Sequence, residues 1–299
     1  MKRKVKASAS ILLQRSKSEK VLYAFVFVIF AVYAATLVVP FVWLFIQSLE
    51  NPVLYNTNLT FYGAFHIPEQ LFFKNYIDAF TKMTYNNVNF FGMFINSCWY
   101  IALGVTWAMF WPVATGYVMS KYRFKGREII YAIAIFCMTI PIVGTTGASY
   151  KLYAALGIYD KGPLFVIVTG IGGFGPTFLI MYGIFKNISW SYAEAVFIDG
   201  GGHLTAFLQI MLPQAMPAIV ALMIKSGIGL WNEYMSAMMY MPSTPMVATG
   251  LYFVSLTINR YGKPLYYAGL VISIIPIVVL FSFSAGSMMK NLSIGGIKG

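Results

Sequence analysis

"VLYAFVFVIFAVYAATLVVPFVWLFIQSL", residues 21–49, contains no charged side chain. A helix needs ~20 predominantly apolar residues to cross the hydrocarbon core of a bilayer. This run exceeds that length, and four more uncharged runs do the same: Met83–Ser120, Ile129–Tyr150, Gly162–Phe185 and Pro264–Met289. A sixth segment, about 218–240, is apolar apart from Lys225 and Glu233. Backbone polar groups in lipid must pair within their own segment, so such runs are read as helices. The alternating short segments of a membrane β-barrel are not visible. The expected fold is all-α, a polytopic membrane protein with six transmembrane helices.

Composition agrees. The 299 residues are 59% hydrophobic and only 10% charged, whereas soluble domains are about a quarter charged. The net charge of +12 can indicate nucleic-acid binding in a soluble protein. Here it is read as topology, because lysine and arginine concentrate on the cytoplasmic flanks of spans. Lys2, Arg3, Lys4, Lys6, Arg15, Lys17 and Lys20 precede the first run. Lys121, Arg123, Lys125 and Arg127 follow the second. The link 48–88 balances Lys74 and Lys82 with Glu50, Glu69 and Asp78, so it is placed outside. Six spans then put both termini and the 186–217 link in the cytoplasm, with Lys186, Lys290 and Lys298 in agreement. The N-terminal apolar run is too long for a signal peptide and is read as a retained span.

The expected organisation is a basic N-terminus at 1–20, a first span at 21–47, an outer loop at 48–88, a five-helix core at 89–289 and a tail at 290–299. A loop as long as 48–88 is expected to carry structure of its own and to pack on the membrane surface. Cys98 and Cys137 both lie in apolar runs and are read as small buried hydrophobes. No CxxC motif or histidine cluster suggests a metal, and His66 and His203 carry no evident chemistry. "TGIGGFGP" (169–176) falls within a span, where glycines let helices approach closely or kink one.

The chemistry concentrates in "EAVFIDGGGHLTAFLQIMLPQAMP" (194–217). Ser191 and Glu194 have the S-x-x-E spacing of a capping box, with Ser189 as a competing cap. A short helix is expected to start at 189–192 and to end at Gly200–Gly202. Leu204, Phe207, Leu208 and Met211 form one apolar stripe of a second short helix. Pro213 is expected to break or bend the chain, and Pro217 to open the next span. A membrane-surface connector would read the same way. Glu194 and Asp199, five residues apart, stand roughly 140° apart on an ideal helix and are not expected to share a partner.

The order of these residues adds to that reading. Glu194-Ala195-Val196-Phe197-Ile198-Asp199-Gly200, closed by Ile210-Met211-Leu212-Pro213, resembles the EAA loop of the permease subunits of bacterial ABC importers. Val196 and Gly201 stand where that loop usually has alanine. "FFKNYIDAF" (72–80), "SKYRFKGRE" (120–128), "ALGIYDKGP" (155–163), "LWNEY" (230–234) and the closing "SIGGIKG" (293–299) resemble, in order, segments of the carbohydrate-uptake branch that includes the maltose-system permeases. The resemblance covers nearly the whole chain. It implies the type I permease fold, with a cytoplasmic coupling-helix hairpin at 189–217 that docks on an ATP-hydrolysing subunit. Glu194, Ala195, Asp199, Gly200 and Gly201 are the implied coupling residues: Glu194 caps the helix or faces the partner, and Asp199 and Gly200 fix the turn.

The resemblance also implies partners: a second permease subunit, two ATP-binding subunits and an extracytoplasmic solute-binding protein. The chain has no phosphate-binding G-x-x-x-x-G-K-[ST] loop, so ATP and Mg belong to the partner subunits and this chain is expected to be non-catalytic, without a cofactor. It is expected in the bacterial plasma membrane, importing a carbohydrate, most simply an oligosaccharide. Trp231, Asn232, Glu233 and Tyr234 are candidates for the substrate path, since aromatic faces stack on sugar C–H surfaces and amide or carboxylate groups bond hydroxyls. A structural contact between helices explains the same residues. Lys225, where the family usually has an apolar residue, is read as able to snorkel from about two turns inside the cytoplasmic end. The alternatives are a permease for a non-sugar solute, a stand-alone secondary transporter, for which no internal repeat is seen, and a membrane enzyme, for which intramembrane acids are few.

Overall fold

A computed structural model describes residues 17–63, 65–140 and 144–292. Most of the basic N-terminal tract and the closing "SIGGIKG" segment therefore lie outside the described residues. Among the described residues, four helices are long and apolar enough to cross a bilayer: α1 (Lys17–Ser48), α4 (Phe90–Lys121), α10 (His203–Asn232) and α14 (Lys263–Leu292). Between them lie α2 (Tyr55–Tyr62), α3 (Lys74–Lys82), α5 (Arg127–Thr139), α6 (Thr146–Ala155), α7 (Gly162–Thr169), α8 (Pro176–Asn187) and α9 (Ser191–Ile198). After α10 come α11 (Met235–Tyr240), α12 (Val247–Leu256) and α13 (Ile258–Tyr261).

The third and fourth expected spans are not continuous helices. The third divides into α5 and α6, with 141–143 outside the described residues. The fourth divides into α7 and α8 at the glycine-rich 170–175 stretch. Broken helices leave carbonyls without helical partners, which hydrocarbon does not tolerate. Helix α4 supplies the missing donors. Trp107 Nε1 donates to the Ile167 carbonyl at 2.8 Å, and Thr115 Oγ1 donates to the Gly173 carbonyl at 2.6 Å. The glycines also permit the contact: a Cβ on Gly170 would lie 2.8 Å from the Trp107 ring, and one on Gly173 2.8 Å from Thr115.

The second expected span starts late, at Phe90 and not at Met83. Asn86 and Asn87 take φ values of +48° and +62°, the pair of left-handed residues that a tight antiparallel hairpin requires. Thr84 pairs with Asn89 and Tyr85 with Val88. The Asn89 side chain then accepts the Gly92 N–H at 2.8 Å and caps α4; asparagine is among the strongest N-caps.

Loop 48–88 is structured, as its length required. Asn75 is its buried tether: its amide donates to the Ser48 and Glu50 carbonyls, both at 2.8 Å. Tyr76 OH meets Ser48 Oγ at 2.6 Å. Glu50, 3% exposed, holds Asn58 Nδ2 at 2.9 Å and His66 Nε2 at 2.9 Å. His66 thus has a structural role that its sequence position did not reveal. Removing a buried donor leaves its acceptors unpaired, at about 1–3 kcal/mol each. Asn75→Ala is therefore expected to lower stability by roughly 3 kcal/mol, measured as a fall in the thermal midpoint of the purified protein.

Core residues gather at both ends of the bundle. At the α3 end, Met83, Phe90, Met93, Trp231, Leu251 and Ala268 pack together. At the α9 end, Tyr117, Met181, Phe185, Ala193, Ala206 and Met211 do so. Helix α1 lies against α14, and its most hydropathic window is 0% buried. Cys98 and Cys137 are exposed, against expectation. In a chain that uses lipid as solvent, the outer surface is as apolar as the interior, so an apolar run does not distinguish buried cysteines from peripheral ones.

Candidate functional site

The hairpin forms at the expected place, by partly different means. Helix α9 starts at Ser191. The capping box does not form: Glu194 makes no capping bond, and Ser189 Oγ accepts the Ser191 N–H at 3.3 Å. Glu194 lies in the first turn, where a carboxylate complements the helix dipole. The helix ends as its glycines predict. Gly200 has φ +82°, its N–H bonds the Phe197 carbonyl at 3.1 Å, and the Gly201 N–H bonds Val196 at 2.8 Å. This pair of bonds is the usual signature of a left-handed glycine stop. Gly201 is also required sterically, since a Cβ there would lie 2.5 Å from Val196 Cγ1. The extra glycine tightens the turn.

The second arm is not a separate short helix. Residues His203–Asn232 run as one helix through Pro213 and Pro217. A π-helical turn, Ala206–Met211, precedes Pro213, and the Leu212 N–H reaches the Phe207 carbonyl. The wider turn spares the proline ring its clash with the carbonyl four residues back. It also shifts the helical phase. Ala206 and Met211, five apart, are both 0% exposed, while Leu204 and Leu208 of the expected apolar stripe face outward.

One face of the hairpin is fixed to the bundle. Phe207 packs on Tyr117 with ring centroids 4.6 Å apart. Tyr122, from the short basic link, contacts Trp190 and His203, and its hydroxyl lies 3.0 Å from His203 Nδ1. Phe197 also meets the His203 ring. Lys121 Nζ donates to the Ile188 carbonyl. His203 and Tyr122 are therefore positioning residues that sequence reasoning missed; the aromatic density around 117–122 and 190–207 was the available signal. The opposite face has no partner among the described residues: Glu194, Ala195, Asp199 and Gly200 are exposed, together with Tyr192 and Ile198, the latter 86% exposed. Asp199 lies past the last helical residue, so it does not share a helix face with Glu194.

The far end of α10 holds the second candidate group. The residues do not converge on one cavity. Trp231 is buried, its Nε1 donating to the Ser273 carbonyl at 3.0 Å. Glu233 breaks the helix and then caps the next: its Oε1 accepts the Met235 and Ser236 N–H groups at 2.8 and 2.9 Å. Tyr234 stacks on Tyr252 at 4.8 Å, and its carbonyl accepts Thr249 Oγ1. Asn232 is exposed, with its amide nitrogen on Ile228 O. Asp160 ties this region to the α6–α7 link, accepting the Ser243 N–H at 2.9 Å and Oγ at 2.5 Å. Lys225 stands 22 residues beyond the helix start at His203, roughly 33 Å along the axis. The helix thus starts well before residue 218, from which the snorkelling distance of Lys225 was reckoned.

These elements form an all-α fold typical of type I permeases of ABC importers. Residues 113–293, more than half of the chain, match the family of binding-protein-dependent transport system inner membrane components. The chain belongs to that family. It is homologous to sugar-import permeases, and members of the family are non-catalytic transport subunits. The diacetylchitobiose uptake system permease protein NgcG of Streptomyces coelicolor is 25% identical over 68% of this chain; the match spans 64% of that protein's length. The maltodextrin transport system permease protein MdxG of Bacillus subtilis is 26% identical, over 86% of this chain and 95% of that one. A solved bacterial ABC transporter involved in import of the acidic polysaccharide alginate has the same fold, with TM-score 0.74 and 21% identity, covering 91% of this chain and 98% of that one.

Proposed function

We propose that this permease subunit translocates a carbohydrate, most simply an oligosaccharide, across the bacterial plasma membrane, driven by ATP hydrolysis on partner subunits. The observation that carries the reading is the two-faced hairpin. Its inner face is locked to α4 and α8 by aromatic packing, while Glu194, Ala195, Ile198 and Asp199 face outward with no partner among the described residues. A rigid lever of this form passes force from a docked ATPase into the bundle. The 30-residue α10, which starts directly after the Gly200–Gly202 turn, gives that force a route into the membrane.

In this reading the chain crosses the membrane six times, with α5–α6 and α7–α8 as interrupted crossings and both termini in the cytoplasm. The assembly contains a second permease, two ATP-binding subunits that hold ATP and Mg, and an extracytoplasmic solute-binding protein. Glu194 and Ala195 meet the ATPase subunit, while Asp199, Gly200 and Gly201 shape the turn. At the other end of α10, Asn232 faces the path. Trp231, Glu233 and Tyr234 hold the helix break that presents it. The carbohydrate cargo rests on the sugar-uptake relatives.

The test is uptake of labelled oligosaccharides into vesicles containing the assembled complex with ATP inside the ATPase compartment. ATP-dependent accumulation of a saccharide supports the proposal. Accumulation of a different solute class alone overturns the carbohydrate reading, and accumulation without the ATPase subunits overturns the importer reading.

A further inference from the structure

Lys225 is an exposed cation on a membrane-crossing helix, and its depth can be placed by its neighbours. A Cβ on Gly227, two residues further on, would touch Ile101 and Val105. Those residues lie near the middle of α4, which runs from Phe90 to Lys121. Lys225 therefore sits at the level of the centre of a crossing helix. With a hydrocarbon core of ~30 Å, either interface lies roughly 15 Å away, beyond the reach of its four-carbon stem.

Among the described residues, Lys225 has no ion-pair partner. The chain's nine acidic residues all fall among the described residues. Glu50 pairs with His66, Asp78 with Lys82 and Glu128 with Arg127. The acid nearest in sequence, Glu233, lies ~12 Å further along the axis and spends its Oε1 on two backbone N–H groups. An intramembrane charge of this kind faces a partner or a water-filled cavity.

The surrounding helix face favours the cavity. In the part of α10 after the π-helical turn, 214–232, Gln214, Ala218, Ala221, Lys225, Gly229 and Asn232 fall within an 80° sector at 100° per residue. All six are exposed or half-buried, and none carries a bulky apolar side chain, although the rest of the helix is rich in Leu, Ile, Met and Val. The strip extends roughly 27 Å along the axis. A single ion pair to a neighbouring subunit needs one or two turns. A strip in which every residue is either small or polar over the length of a crossing suits a hydrated solute that moves along it.

We propose that Lys225 is a specificity-determining cation on the translocation path and that the cargo is an anionic saccharide bearing carboxylates. This rests on the carbohydrate-permease reading and narrows it. A fixed positive charge at mid-depth lowers the barrier for a carboxylate where hydration is poorest, and gives no such help to a neutral sugar.

The experiment uses the assembled complex in vesicles and pairs of labelled oligosaccharides: uronate trimers of several linkages and their carboxyl-reduced neutral counterparts. Binding of each probe to the solute-binding protein is measured alongside. Wild type is expected to take up at least one uronate over its reduced counterpart. Lys225→Met is expected to lower the uronate-to-neutral uptake ratio by about 10-fold or more, the scale for losing one member of a desolvated charge pair, and Lys225→Arg is expected to preserve it. Three results overturn the proposal: a wild-type complex and binding protein that accept only the neutral members; a Lys225→Met change that slows both members equally; or separation of the two permease subunits in Lys225→Met, which would assign the counter-charge to the partner. If no saccharide is transported but another solute is, the carbohydrate reading fails together with the proposal. If neutral sugars alone are transported, only the proposal fails.

Discussion

Glu194→Arg is expected to reduce ATP-driven uptake by at least ~30-fold, while the subunit still folds and pairs with its partner permease. The two halves of this expectation have separate causes. Glu194 is exposed and makes no capping bond, so its loss removes only a favourable interaction with the α9 dipole, worth about 0.5 kcal/mol at an exposed site. At a docked interface, by contrast, reversing a charge costs ~2 kcal/mol or more, equivalent to ~30-fold. Uptake, ATP hydrolysis and subunit co-purification measured on one preparation separate the two. Unchanged uptake in Glu194→Arg would mean that the hairpin only connects α8 to α10. Misfolding would mean that Glu194 has a structural role its surroundings do not suggest.

The largest stability effect is expected at Gly116, where α4 and α8 approach closely. A Cβ there would lie 2.9 Å from Met181 Cβ and 3.0 Å from the Tyr182 backbone nitrogen. The obstruction is backbone, so no side-chain rotation relieves it, and the helices must separate. Gly116→Val is expected to cost about 3 kcal/mol or more, in the range of severe overpacking. That is a large share of the stability of a typical domain. The measured outcome is loss of most detergent-soluble protein and a fall of several degrees in the thermal midpoint of what remains. Gly183→Ala, on α8 where a Cβ meets nothing within 4 Å, is the matched control and is expected to leave both unchanged. Because Met181 and Phe185 of α8 also belong to the cluster that supports the hairpin, separating α4 from α8 should weaken the platform on which α9 is mounted.

How far these features are legible in sequence depends on the type of signal. Charge-free length marks where hydrocarbon can be crossed, and α1, α4 and α14 followed from it closely. Such a count does not register whether a crossing is one helix or two. The break in "TGIGGFGP" is possible only because Trp107 and Thr115, some 60 residues earlier, donate to the freed carbonyls, and that pairing is invisible locally. Pro213 and Pro217 misled in the opposite direction. A proline usually disrupts a helix interior, but the π-helical turn at Ala206–Met211 absorbs Pro213 and lets α10 run on. That turn also shifted which residues face inward: of the stripe Leu204, Phe207, Leu208 and Met211, Phe207 and Met211 pack into the bundle while Leu204 and Leu208 face outward.

The candidate site divides in the same way. The left-handed stop at Gly200 was readable because only glycine takes that φ without strain. The Tyr122, Trp190 and His203 contacts that fix the hairpin's inner face link residues up to 81 positions apart and were not readable. Glu233 looked like a path residue because a carboxylate in a span is costly. The structure gives that carboxylate backbone donors at a helix break. Lys225 was judged by distance from a helix start at 218; the packing of the neighbouring Gly227 against Ile101 and Val105, near the middle of α4, is a contact between distant segments that sequence does not display.

The central claim is that the outer face of α9 meets the ATP-hydrolysing subunit. The most direct measurement is photo-cross-linking from Ile198, which is 86% exposed beside Asp199. Ile198→Cys, in a background with Cys98→Ser and Cys137→Ser, is labelled with a thiol-linked benzophenone in the assembled complex and irradiated. A control label is placed by Ile77→Cys, on α3 at the other end of the bundle and 68% exposed. The account predicts an adduct with the ATPase subunit from position 198 and none from position 77. An adduct from neither position, or from both equally, would contradict it.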